Sequence, residues 1–269
     1  MTMPDPMLAP LALAVALLVF VFADMPVARH RVTRLAARHG LTVTVDSGPQ
    51  LIAYLVVTRR WRAAGAAFGC TLYALQGLAE QRLAFSIVYA VAGWFAGALL
   101  AEVRLAHRTS PRPAALLVRR TSERYLPPPL RAALPLSVAT CLALAAITVT
   151  TPAGSQAGAR VALWTGTAVL VSVLAWVARR RVLLRPQPPG PPEVLATDDA
   201  IRSRSLHALT ASATTLMLYC VLDELARLSA GQASEALAVP LVVAGLVVVP
   251  LAGWRMATSP WRVPTAAAQ

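Results

Sequence analysis

Lysine and asparagine are absent from this chain of 269 residues, and only 14% of its positions are charged. A soluble domain carries roughly 25% charged residues, so the shortfall argues against an ordinary soluble enzyme and against a disordered chain. Without lysine there is no GxxxxGK[ST] phosphate loop, no Schiff-base amine and no Ser–Lys dyad. Cysteine is scarce as well. Cys70, Cys141 and Cys220 each sit inside an apolar block, with neither a disulfide framework nor metal-ligand spacing. No HExxH motif occurs, and His30, His39, His107 and His207 fall in or at the edge of polar segments. These absences leave no visible nucleophile, base or metal cluster, and the expectation is a protein without enzymatic activity, cofactor or metal.

What is abundant is apolar: 57% of residues are hydrophobic, in blocks of membrane-crossing length. Seven such blocks run approximately over 7–23, 63–79, 83–102, 132–151, 160–178, 206–225 and 236–256. The expected fold is an all-α, polytopic integral membrane protein forming one membrane domain. The charge pattern tests the count, because basic residues gather on the cytoplasmic side. All 25 basic residues are arginine. Twenty-two of them fall in segments 24–62, 103–131 and 179–205 or in the C-terminal tail, and only Arg82, Arg160 and Arg227 fall on the other side. The alternation predicts seven transmembrane helices in a cell membrane, N-terminus outside and C-terminus cytosolic. The first block reads as an uncleaved anchor, because the stretch before it carries Asp5 and no positive charge.

Local signals place further elements. The stretch 26–39 reads as a basic amphipathic helix stopped by Gly40, with Val27, Val32 and Leu35 opposite Arg29, Arg31, Arg34 and Arg38. The fragment 51–57 is too short to span and extends the second helix toward the cytosol from Pro49. A short helix over 114–125 ends at Pro127-Pro128-Pro129, an extended linker covers 186–192, and Thr197-Asp198-Asp199 is expected to cap the sixth span. Pro240 and Pro250, with Gly245 and Gly253, predict a kinked or broken last span.

Two groups of residues are candidates for specific roles. Gly65 with Gly69, and Gly93 with Gly97, are GxxxG pairs on the two helices of one hairpin; they predict close intramolecular packing, with Gly69 and Gly97 at similar depth. Asp223, Glu224 and Arg227 stand at ion-pair spacing near the outer end of the sixth span. The plain reading is a solvated salt bridge. The sharper one is an outward-facing site for a cation or a substrate headgroup, joined by Gln76 and Glu80. Glu102, closing the third span, is expected to reach the interface.

Function is less legible than topology. The leading expectation is a permease-like or accessory membrane subunit acting with separate proteins. It rests on the missing energy-coupling motif and the basic cytosolic face, which suits anionic inner-leaflet lipid or an acidic cytosolic protein partner and not nucleic acid. A stand-alone carrier using Asp223 and Glu224, and a non-transporting sensor or scaffold, are the alternatives.

Overall fold

A computed structural model describes residues 28–79, 87–106, 121–150, 155–186, 190–230 and 240–259. The expected first span and Glu80 lie outside them. Among the described residues the chain is helical without a strand: α1 (Arg29–His39), α2 (Gly48–Ala79), α3 (Ile87–Ala106), α4 (Ser122–Tyr125), α5 (Pro128–Thr150), α6 (Ser155–Leu184), α7 (Pro192–Ala230) and α8 (Pro240–Thr258). Five helices are long and apolar enough to cross a membrane: α3, α5, α6, α7 and α8. Their outward residues include Leu136, Leu163, Leu170, Val173, Val247 and Leu251, an apolar surface that water would penalise and lipid accommodates. This is an all-helical membrane protein. The second expected span, 63–79, lies in α2, which carries Arg59, Arg60 and Arg62 at mid-length and is not one of the five.

The helices form two compact units. The first holds α1, α2, α3 and the start of α7 through Arg202; the second holds α4, α5, α6, the rest of α7 and α8.

In the first unit, α1 forms as expected. Gly40 adopts φ 64°, the left-handed conformation that suits glycine, and the Leu41 N–H closes back on the Ala36 carbonyl at 2.9 Å. The apolar side of α1, Val32 and Leu35, packs with Leu51, Tyr54, Leu105 and Ile201, leaving Arg29, Arg31, Arg34 and Arg38 exposed. The α2 helix starts one residue before Pro49, with Ser47 and Thr44 exchanging hydrogen bonds between backbone N–H and hydroxyl at its entrance.

Among the described helices α2 and α3 pack most closely. A Cβ added at Gly65 would overlap the Gly93 carbonyl oxygen and lie 2.7 Å from the Gly97 Cα; one at Gly69 would overlap the Tyr89 carbonyl. The expected intramolecular contact is present, but its register differs from the sequence reading. In an antiparallel pair one helix's numbers rise as the other's fall. Gly65 therefore meets Gly93 and Gly97, Gly69 meets Tyr89 and Gly93, and Gly97 meets Trp61 instead of sharing a depth with Gly69. Stacked contacts flank the seam, Arg62 over Trp94 at 5.0 Å and Arg104 over Trp61 at 5.6 Å.

Helix α7 departs from expectation at its start. It has 39 residues, about 58 Å at 1.5 Å per residue, well beyond a hydrocarbon core of ~30 Å. It opens at Pro192, where proline's missing N–H costs nothing, and the Val194 N–H bonds to the Pro191 carbonyl at 3.0 Å. Thr197 and Asp198 are consequently interior helical residues and do not cap it. The α5 helix starts the same way at Pro128.

In the second unit the expected break in the last span takes a definite form. Residues Ala244–Val248 form a π-helical turn in which the Val249 N–H reaches the Ala244 carbonyl. Pro250 would press its ring against the carbonyl of residue 246 in a regular α-helix, and the widened turn relieves that clash.

Candidate functional site

Burial singles out α7. Within its candidate span 78% of residues are buried, against 22% for α5, 28% for α6 and 17% for α8. An apolar helix would be the natural occupant of so enclosed a position, yet α7 is rich in hydroxyls. Ser203, His207, Thr210, Thr214, Met217, Val221 and Glu224 follow one another at alternating spacings of four and three, so they share a face. All but Val221 are no more than 4% exposed, and Val221 is 7%.

The threonines on this helix behave unlike those elsewhere. Thr58, Thr71, Thr140, Thr148, Thr167 and Thr258 each return the hydroxyl to the backbone carbonyl four residues earlier, at 2.8–3.0 Å. That bond is the ordinary way a helix satisfies a threonine among apolar neighbours. The hydroxyls of Thr210, Thr214 and Thr215 are buried without a hydrogen-bond partner. Three unanswered hydroxyls on neighbouring turns of one helix are unusual, because each carries its own desolvation cost.

At the N-terminal end of this face, His207 lies between two backbone carbonyls. Its Nδ1 is 3.3 Å from the Met256 oxygen in the last turn of α8, and its Nε2 is 3.2 Å from the Tyr125 oxygen that ends α4. A neutral imidazole has one N–H and can donate to one of them. Ser203 also donates to the Tyr125 carbonyl, at 3.4 Å. The sequence placed His207 at a polar edge; the structure places it in the interior, 1% exposed.

At the C-terminal end, Glu224 is 1% exposed and so buried where a solvated group was expected, while the side chain of its expected partner Arg227 lies outside the described residues. Its contact is Thr148 of α5, whose Oγ1 stands 3.3 Å from Oε2. The Thr148 hydroxyl has a single proton and a shorter bond, 2.9 Å, to the Leu144 carbonyl. That one proton is divided between the Leu144 carbonyl and Glu224 Oε2. The other carboxylate oxygen, Oε1, is buried with no hydrogen-bond partner. The buried thiols of Cys141 and Cys220 lie within electrostatic range of Glu224. One turn away, the Tyr219 hydroxyl donates to the Gly245 carbonyl at 3.1 Å, inside the π-helical turn of α8.

Of the other residues of the expected outer cluster, Glu80 lies outside the described residues. Asp223 is half-buried beside Glu224, and Arg227 belongs to α7 with its side chain outside the described residues. Gln76 is exposed on α2 in the first unit, where its Oε1 accepts the Tyr89 hydroxyl at 3.3 Å.

Two buried polar groups in the first unit escaped the sequence reading. Glu102 is fully buried and accepts the Tyr54 hydroxyl at 2.8 Å instead of reaching an interface. Asp198 is bridged by Arg185 and by the fully buried Arg202, whose Nε lies 2.8 Å from Oδ2. The i,i+4 spacing of Asp198 and Arg202 was the available signal, and the expected N-cap obscured it. Among the described residues no group of three or more His, Cys, Asp or Glu side chains is placed to hold a metal ion.

Comparison with known proteins adds no relative: no family model, no curated protein and no solved structure matches this chain.

Proposed function

We propose that this chain is a permease-like membrane protein whose pathway runs along the polar face of α7, and that it catalyses no covalent chemistry. The observation that carries the reading is the burial, inside the most enclosed apolar helix, of three hydroxyls and one carboxylate oxygen that no hydrogen bond satisfies. Packing alone would select against such groups; a solute or water moving along the helix is what they would serve. The π-helical turn of α8 supports it, since π turns open the backbone at sites of function and here one bonds to Tyr219 of α7. In this reading the chain sits in the cell membrane with seven spans, N-terminus outside and C-terminus cytosolic, the arginine asymmetry being its support.

The exposed arginines of α1 favour the companion element of the reading. Arg29, Arg31, Arg34 and Arg38 stand on a helix held to the first unit by its apolar side. Such a surface suits anionic lipid headgroups or an acidic cytosolic partner that drives or gates the pathway.

Thiol accessibility tests the pathway without a known substrate. In a background with Cys70, Cys141 and Cys220 replaced by alanine, single cysteines are placed at 203, 207, 210, 214 and, as off-face controls, 208 and 211. A membrane-impermeant methanethiosulfonate is then added to right-side-out and inverted vesicles. Reaction at 203, 207, 210 and 214 with silence at 208 and 211 is the expected pattern. Silence at all six, in a variant that purifies as a single species, overturns the pathway.

A further inference from the structure

We infer that Glu224 and Thr148 form a binding site for a monovalent alkali cation. Three oxygens carry the inference. Glu224 Oε2 accepts the Thr148 hydroxyl at 3.3 Å, but that hydroxyl has one proton, which it divides with the closer Leu144 carbonyl at 2.9 Å. Glu224 Oε1 is buried with no hydrogen-bond partner at all. A buried carboxylate with one oxygen unanswered and the other holding a share of one proton is strongly disfavoured. A cation held by both carboxylate oxygens answers it, with Thr148 giving its proton wholly to Leu144 and a lone pair to the ion.

The chemistry of the donors selects the ion. Carboxylate and hydroxyl oxygens are hard ligands, which suit alkali and alkaline-earth ions over soft metals. The single buried carboxylate brings one negative charge, which one monovalent ion balances; no group of three or more acidic, His or Cys side chains for a divalent metal is found among the described residues. The titratable neighbours among the described side chains are Cys141 on α5 and Cys220 and Asp223 on α7. The inference rests on the reading of α7 as a pathway only for what the ion does there, namely couple its own gradient to solute movement. Binding itself stands or falls separately.

The test is thermal unfolding of the full-length chain purified in mild detergent, in sodium, lithium, potassium or choline chloride at equal ionic strength. Sodium or lithium is expected to raise the wild-type midpoint by a few degrees over choline, because a ligand bound only to the folded state stabilises it by mass action. Glu224→Gln is expected to match or exceed the wild-type midpoint in choline and to lose the response to sodium. Thr148→Val is expected to need a higher sodium concentration for the same shift, and equilibrium dialysis with radioactive sodium on this variant reads the site directly should Glu224→Gln fail to fold. A sodium response that survives in Glu224→Gln overturns the site, as does a wild-type midpoint identical in all four salts. A midpoint that follows pH and none of the salts overturns it too, by assigning the carboxylate to a proton. Thiol labelling along α7 does not depend on sodium, so a failure here is distinguishable from a failure of the pathway.

Discussion

Among the described residues the first unit buries two carboxylates and the second buries one, and their surroundings differ. Asp198 sits between Arg185 and Arg202, and Glu102 takes the Tyr54 hydroxyl at 2.8 Å. Glu224 accepts from a threonine that divides its one proton with the Leu144 carbonyl, and three unanswered hydroxyls share its helix. The first unit is not free of unanswered atoms either, the buried Thr197 hydroxyl among them. Backbone packing follows the same division. In the first unit α2 and α3 touch through glycines with no room for a methyl group, whereas in the second Gly166 has open space around its Cβ position and α8 widens into a π turn. The comparison teaches that buried polarity has two meanings in one chain: where partners are supplied it locks helices together, and where they are withheld it marks a place something else must fill.

The largest effect that could break this comparison lies at Asp198. Converting it to asparagine leaves Arg202, fully buried, without its countercharge. Breaking one side of a buried pair costs about 3–5 kcal/mol, and SDS-driven unfolding in mixed micelles is expected to read a loss of that size. A loss below about 1 kcal/mol would mean that the pair is wet in solution, and the first unit would no longer differ from the second. Tyr54→Phe comes next. It removes the hydroxyl that answers Glu102 while keeping the ring among its apolar neighbours, so the expected loss is about 2 kcal/mol, the range for a hydrogen bond to a charged group.

The sequence carried the architecture better than it carried this contrast. Apolar block length and glycine or proline punctuation were enough for α1 stopped by Gly40, α2 beginning beside Pro49 and a distorted α8, because those signals act within a turn or two of the residue that gives them. Glu102 and Glu224 defeated the same reasoning. Each ends an apolar block, and each was expected to turn toward water. Whether a terminal carboxylate turns outward or inward depends on what the neighbouring helix presents, Tyr54 in one case and Thr148 in the other, and those partners lie 48 and 76 residues away. The threonines of α7 were invisible for a related reason. Thr214 and Thr167 look alike in sequence, and only the three-dimensional packing shows that one bonds to its own helix and the other does not.

Those threonines give the smallest effect and the sharpest distinction. Replacing a hydrogen-bonded buried hydroxyl by a methyl strands its partner and destabilises; replacing one that has no partner removes a desolvation cost and leaves nothing stranded. Valine matches threonine closely in shape. Thr210→Val, Thr214→Val and Thr215→Val, singly and together, are therefore expected to leave stability unchanged or to raise it by up to about 1 kcal/mol per site in the same mixed-micelle unfolding. The matching change at Thr58, whose hydroxyl bonds to the Tyr54 carbonyl at 2.9 Å in the first unit, supplies the reference for a hydroxyl already satisfied. If the α7 hydroxyls instead cost as much to remove as a bonded hydroxyl does, they are satisfied in solution and the polar face is a packing device. If removing them stabilises the protein while silencing the reactive cysteine at position 207, then α7 keeps its hydroxyls at the expense of stability. A stability sacrifice confined to one helix is the signature of groups retained for function.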